Sequence, residues 1–74
     1  MKKSSSGEIV KFTRREMEVL DHICKGLSNA EIAEKLFLSL RTVEGHKSKL
    51  ISKTGVSNSI GLVMYAIKNK LVEI

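Results

Sequence analysis

Hydrophobic residues recur along most of the chain at helical spacing, and strict alternation of apolar and polar positions is scarce. This pattern favours helices over strands, and no proline interrupts it. Residues 1–11 differ because they begin with a polar, serine-rich stretch that ends in a glycine. We therefore predict a flexible tail or linker over residues 1–11 and one all-helical domain over residues 12–74.

Three helix starts share one sequence signature. Thr13 and Ser28 are each followed three residues later by a glutamate, which is the spacing of a capping box. Ser39 has Thr42 at the equivalent position. Apolar residues flank each start as a hydrophobic staple requires, so the signature predicts three closely spaced helices.

Glycines mark two of the helix ends. Gly26 and Gly55 stand where a glycine closes a helix, at the ends of the first and third helices. The second helix is predicted at about residues 29–36 and the third at about residues 40–53, joined by a tight turn at residues 37–38. A short helix, a turn and a longer helix form a helix-turn-helix, although other three- or four-helix bundles use the same caps.

A fourth helix is predicted from residue 58 or 59 to residue 68, capped by Ser57 or Asn58. Its apolar residues form two nearly opposite stripes, so it is buried on more than one side. A domain of this size offers one core face. The second stripe therefore suggests a second copy of the chain across a two-fold axis, or another domain of a longer chain.

Composition narrows the function. The 74 residues carry a net charge of +5, with 42% hydrophobic and 4% aromatic residues. The apolar fraction suits a folded core, and the basic excess points to an acidic partner such as nucleic acid. Scarce aromatic residues argue against a stacking platform for single strands. No apolar run reaches the roughly 20 residues of a membrane span, and no signal peptide is recognisable, so we expect a cytoplasmic protein without a membrane partner.

The sequence contains no candidate residues for catalysis or metal binding. The single cysteine, Cys24, excludes an internal disulfide. With His22 and His46 it supplies too few ligands for a four-ligand zinc site. No carboxylate pair, nucleophile with a base or glycine-rich phosphate loop is present. We expect neither an enzyme, nor a metal, nor a cofactor.

The third helix carries much of the basic excess. At the helical angle, Val43, Leu50 and Thr54 fall on one side of it. The opposite face holds small and charged residues: Arg41, Gly45, Ser48 and Ser52, bordered by Glu44 and Lys49. It contains no large apolar side chain. Such a face suits the major groove, where small residues permit close approach and long polar ones reach base edges. An ordinary solvated helix face is the alternative.

Three stretches together resemble the LuxR-type helix-turn-helix: Phe12–Leu20, Gly26–Ala33 and Ser39–His46. That domain is the C-terminal DNA-binding domain of FixJ/NarL response regulators and the whole of GerE-like regulators. The resemblance implies a four-helix domain that regulates bacterial transcription and binds double-stranded DNA through its third helix. It also implies a homodimer formed through the fourth helix. The domain would be either a stand-alone regulator or part of a longer parent chain that carries a receiver or sensor domain of a two-component system.

The resemblance also implies roles for individual residues. Four positions would face the bases: Arg41, Glu44, Gly45 and Ser48. The resemblance places Thr42, Lys49 and Lys53 near phosphates. Independently of it, helix starts and basic residues bind phosphate, which makes Ser28, Asn29, Ser39, His46 and Lys47 further candidates. In the fourth helix, the resemblance favours Leu62, Val63, Ala66 and Ile67 toward the core. This leaves Ile60, Met64 and Tyr65 for the dimer interface.

Three positions depart from the family pattern. Glu44 stands where many relatives carry a basic residue; it either accepts a hydrogen bond from cytosine N4 or pairs with Lys47 or Arg41. Gly45 either allows close approach to DNA or carries no information. Ser59 replaces a frequent arginine, which weakens a phosphate contact there.

Two other binding functions are alternatives to DNA binding. A small helical domain that binds an acidic protein through the same basic face is the main alternative. RNA binding fits less well because aromatic stacking residues are missing.

Overall fold

The computed structural model describes residues 10–72, which form four helices. They are α1 (Arg14–Cys24), α2 (Asn29–Leu36), α3 (Leu40–Thr54) and α4 (Ser59–Lys68). No strand occurs within residues 10–72, and the prediction of an all-helical fold with four helices is confirmed. Most of the predicted tail at residues 1–11, and the last two residues of the predicted domain, lie outside the described residues.

Side chains at the helix starts make the predicted caps. The Glu16 N–H donates to Thr13 Oγ1 at 3.1 Å, and the Thr13 N–H donates to Glu16 Oε1 at 2.9 Å. Ser28 and Glu31 form the same reciprocal pair at 3.2 and 2.7 Å. Both capping boxes are confirmed, and they fix where α1 and α2 begin because the first N–H groups of a helix have no partner within it.

The two later helices begin with single caps. At α3 the Thr42 N–H donates to Ser39 Oγ at 3.0 Å, and the two hydroxyl oxygens lie 2.8 Å apart. At α4 the Gly61 N–H donates to Asn58 Oδ1 at 2.9 Å. Of the two predicted caps for α4, Asn58 is therefore the one used.

The turns between helices use the left-handed backbone region. Gly26 and Gly55 have φ of 86° and 74°, as predicted for glycines that close helices. The turn between α2 and α3 also has a left-handed residue, but this residue is Phe37, with φ of 57°. The Leu38 N–H donates to Ala33 O at 2.8 Å, which tightens this turn and sets the angle at which α3 leaves α2.

A small core receives residues from all four helices. It contains Val19, Leu20, Ile23, Ile32, Ala33, Val43, Leu50, Leu62 and Ala66. Within it, α1 packs against α3 and α4, and α2 packs against α3. Because Val43 and Leu50 anchor one side of α3 in this core, the opposite side of α3 faces outward.

One prediction for α4 is wrong. Leu62 and Ala66 are buried and Val63 is half-buried, as expected. Ile67 was predicted to face the core, but it is 48% exposed. It follows Ile60 by seven residues, or almost two full helical turns, and so lies on the exposed side with Ile60.

Candidate nucleic-acid interface

The outward face of α3 brings together the four residues predicted to face bases. Arg41, Glu44, Gly45 and Ser48 are all exposed, whereas the core residues on the other side of the helix are fully buried. The four line one open depression of about 720 Å³. A single rigid helix therefore presents two charged groups, one hydroxyl and one bare stretch of backbone side by side.

Leu40 lines the same depression, although it is not among the residues predicted for this face. This face was expected to contain no large apolar side chain, but Leu40 is 47% exposed and sits at the edge of that face. It is the first residue of α3 and precedes Glu44 by about one turn. The helical projection of the sequence began at Arg41 and so omitted Leu40, the first residue of the helix.

The carboxylate of Glu44 is available to an outside donor. Of the two alternatives, pairing with Arg41 or Lys47 does not occur among the described residues, where the ion pairs involve other side chains. Glu44 is exposed and lines the depression together with Ser48. The Glu44 carboxylate, an acceptor, and the Arg41 guanidinium, a donor, therefore lie on the same surface.

A second depression, of about 540 Å³, lies beside the first. Its lining comes from the end of α1 and the starts of α2, α3 and α4. Three of the predicted phosphate residues are here, Ser28, Asn29 and Lys47, together with Ser59. Leu40 and Glu44 line both depressions, so the two are continuous.

The helix starts near these depressions differ in charge. Glu31 lies in the first turn of α2, where hydrogen bonds from the Ser28 N–H and hydroxyl lower its pKa. This fixed negative charge already compensates the positive end of α2. Neither α3 nor α4 has an acidic residue in its first turn. The starts of α3 and α4 therefore attract an external anion more strongly than the start of α2.

The basic residues predicted to contact phosphates fall into two groups. Lys49 is exposed and makes no ion pair within residues 10–72, and His46 and Lys47 are half-buried at the flank of α3. Lys53 differs because its Nζ donates to Glu16 Oε1 at 2.7 Å and to Lys11 O at 2.9 Å. It also lies 5.9 Å from the centre of the Phe12 ring. Lys53 thus joins the end of α3 to the residues before α1.

The partner of Lys53 is a buried carboxylate. Glu16 is only 2% exposed, and burial by itself raises its pKa. The hydrogen bonds from Lys53 and the Thr13 N–H, with the charges of Lys53 and Lys49, outweigh burial and lower the pKa of Glu16 overall. The glutamate of the first capping box is therefore also the anion that holds α3.

No metal site is found in the described part of the chain, where no three His, Cys, Asp or Glu residues cluster as ligands. His22 Nδ1 lies 2.7 Å from the Glu18 carbonyl oxygen of its own helix. Burial raises the pKa of the Cys24 thiol, and the nearby Asp21 raises it further. No helix among residues 10–72 is long and apolar enough to span a bilayer.

Comparison with known proteins gives one consistent result. Residues 10–66 match the family described as bacterial regulatory proteins, luxR family. The oxygen regulatory protein NreC of Staphylococcus aureus is 51% identical over 62 residues, which cover 84% of this chain and 29% of NreC. The chain thus spans less than a third of this curated relative.

Solved structures agree with the sequence match. The LuxR-type receptor VqmA of Vibrio cholerae superposes with a TM-score of 0.85 at 32% identity, over 95% of this chain and 33% of VqmA. The response regulator ChrA of a heme-sensing two-component system gives 0.81 at 36% identity, over 89% of this chain and 33% of ChrA. The chain therefore belongs to the luxR family of bacterial regulatory proteins, as a helix-turn-helix DNA-binding domain of a transcriptional regulator.

Proposed function

We propose that the domain binds specific sequences of double-stranded DNA by placing α3 in the major groove. One observation carries this proposal: Arg41, Glu44, Gly45 and Ser48 are exposed together on the side of α3 opposite the core. The major groove is wide enough to admit an α-helix. The core fixes the other side of α3, so the protein loses little conformational freedom when it docks.

Each of the four positions has a chemical role in base recognition. Arg41 has the donors to bind guanine O6 and N7, Glu44 accepts from cytosine N4, and the Ser48 hydroxyl donates or accepts. At Gly45 a Cβ atom would meet nothing within 4 Å, so the space above this backbone is open. We propose that a base edge or sugar approaches the helix there.

Phosphate binding is proposed for the uncompensated start of α3, for the basic residues of α3 that make no ion pair within residues 10–72, and for two residues at the start of α2. Ser39 and Thr42 stand at the start of α3, and Lys49 projects from its exposed side. Ser28, Asn29 and Lys47 line the second depression, and His46 is half-buried on α3. These four residues would reach the DNA backbone at the edges of the groove. We assign Lys53 first to the ion pair with Glu16, because two of its three ammonium N–H groups already have protein acceptors, and the third is left for a phosphate.

A charge-removal experiment tests this docking. Binding to a duplex selected from random sequences is measured by fluorescence anisotropy over a series of salt concentrations. Lys49→Ala should weaken binding to all sequences and reduce the salt slope by about one unit for each bound domain. Lys68→Ala removes the same charge from the last turn of α4, the end remote from Ser59 in the second depression, and should leave the slope unchanged.

Two outcomes would contradict the docking. If Lys49→Ala and Lys68→Ala behave alike, α3 does not face the phosphates. If the wild-type domain binds no duplex even at low salt, the basic surface serves another acidic partner, such as a protein.

We also propose that the DNA-bound form is a homodimer joined through α4. Ile60 and Met64 are 71% and 67% exposed, and Ile67 adds a third apolar side chain to the same stripe. Tyr65 is half-buried beside it and would border the contact. VqmA is described as a dimer that has a target DNA. A two-fold dimer would recognise pseudo-palindromic half-sites about one helical turn, or roughly 10 bp, apart.

The dimer is tested by a charge in the apolar stripe. Met64→Glu should keep its helical content and thermal stability, because Met64 lies outside the core. It should sediment as a monomer and bind a single half-site as well as the full site. An unchanged sedimentation coefficient on DNA would place the contact elsewhere, for example against another domain.

We further propose that a receiver or sensor domain controls this domain in the cytoplasm. NreC, VqmA and ChrA are each about three times longer than the matched region, and ChrA belongs to a two-component system. The reading frame around the coding sequence tests this directly, because a receiver or sensor domain in the same frame is expected.

A further inference from the structure

Leu40 is an apolar side chain without a structural role in the core. It is 47% exposed and belongs neither to the buried cluster nor to the half-buried residues packed against it. It instead lines the two continuous depressions, beside Glu44 in both. The proposed base-contacting surface therefore has one hydrophobic member among polar ones.

In the proposed docking, the position of Leu40 on α3 directs its side chain toward the major groove. Leu40 is the first residue of the helix, directly after the N-cap Ser39. Side chains on a helix lean toward its N-terminus, and recognition helices reach base edges mainly with their N-terminal residues. Leu40 thus projects beyond the start of α3, on the surface that continues into Arg41 and Glu44.

We propose that Leu40 contacts the C5-methyl group of a thymine, next to the bases read by Arg41 and Glu44. The thymine methyl is the apolar group that a base pair presents in the major groove, so an exposed leucine has one matching partner there. A methyl group at C5 of cytosine occupies the same place in the groove, and 5-methylcytosine should satisfy the contact equally. This inference rests on the proposed docking of α3.

The contact has a measurable size. Burying one methyl group against an apolar side chain is worth about a fourfold change in affinity. Thymine and uracil pair identically and differ only in this methyl group. Replacing thymine by deoxyuridine therefore removes the proposed contact without altering any hydrogen bond.

The experiment combines this base change with a protein change. Each thymine of a selected duplex is replaced in turn by deoxyuridine, and the Kd is measured for wild type, Leu40→Ala and Leu40→Met. Wild type should lose about fourfold at one position in each half-site, and Leu40→Met should keep this sensitivity. Leu40→Ala should bind the thymine and uracil duplexes equally, while its thermal melting confirms that it is folded.

The outcomes separate this inference from the docking on which it rests. If wild type binds no duplex, the proposed function fails. If wild type binds but no thymine methyl matters, or Leu40→Ala keeps the wild-type sensitivity to uracil, the docking stands and the role of Leu40 is overturned.

Discussion

Lys53 Nζ lies 2.7 Å from Glu16 Oε1, and this ion pair fastens the last turn of α3 to the first turn of α1. The glutamate is almost completely buried, whereas the lysine side chain is about one-third exposed, at 34%. The same carboxylate accepts from the Thr13 N–H, and the same ammonium donates to Lys11 O. The orientation of α3 is thus coupled to the chain segment that precedes α1.

Removing the lysine should destabilise the fold. In Lys53→Met the buried carboxylate of Glu16 loses its charged partner, and such a loss costs about 1–3 kcal/mol. Urea unfolding of this variant gives the change in free energy. Lys35→Met is the control, because Lys35 is exposed and belongs to no ion pair in residues 10–72, and it should change stability by less than about 0.5 kcal/mol.

A double-mutant cycle isolates the ion pair itself. Glu16→Gln with Lys53→Met should cost clearly less than the sum of the two single changes, since each single change leaves the other group without its partner. Strictly additive costs would mean that the two groups stabilise the fold independently.

The lowered pKa of Glu16 predicts a pH dependence of stability. A carboxyl group whose pKa is lower in the folded state stabilises fully above its unfolded pKa of about 4.3, and this contribution is lost as pH falls through the folded value. Wild type should therefore lose stability below about pH 4.3 more steeply than Glu16→Gln. Urea unfolding between pH 3 and 7 measures both slopes, and parallel curves would refute the prediction.

Local signals explain which features the sequence predicted. The capping pairs of α1 and α2 join residues three positions apart, so their spacing alone defines the helix starts. The ion pair between Glu16 and Lys53 joins residues 37 positions apart, so no local sequence pattern predicts it. From the sequence, Lys53 is therefore grouped with the phosphate contacts. The buried side of α3 followed from helical periodicity, because one apolar side determines the opposite polar one.

The features that sequence missed depend on packing between helices. In α4 both stripes are apolar, so periodicity could not decide which one the core would take, and Ile67 was assigned to the wrong side. At the turn, a left-handed residue is usually marked by glycine, and Phe37 carries no such mark.

Replacing Phe37 by glycine should stabilise the domain. Its φ of 57° places a bulky residue in the left-handed region, which costs roughly 1–2 kcal/mol, and its side chain is 95% exposed and contributes little packing. Phe37→Gly should raise stability by about 0.5 kcal/mol, after the greater flexibility of glycine in the unfolded chain is subtracted. Phe37→Ala keeps the Cβ atom and should gain nothing. Equal stability of the two variants would contradict this account.

Gly45 should show opposite effects on stability and binding. A glycine inside a helix costs about 1 kcal/mol relative to alanine, and a Cβ atom at Gly45 meets nothing within 4 Å. Gly45→Ala should therefore stabilise the domain by about 1 kcal/mol in urea unfolding. The added methyl group stands on the proposed base-contacting surface and should weaken binding to the selected duplex. Unchanged affinity would show that the DNA does not approach this backbone closely.

Replacing Gly61 in α4 by alanine should destabilise the domain, whereas the same substitution at Gly45 should stabilise it. A Cβ atom built there would lie 2.9 Å from Val56 Cβ, an atom fixed directly to the backbone, so the start of α4 must move to admit it. Overpacking of this kind costs about 1–3 kcal/mol, which exceeds the gain in helix propensity. Gly61→Ala should therefore lower the free energy of unfolding, while Gly45→Ala raises it under identical conditions. If Gly61→Ala also stabilised the domain, the segment at Val56 would move at little cost in free energy. Close packing would then not hold the start of α4.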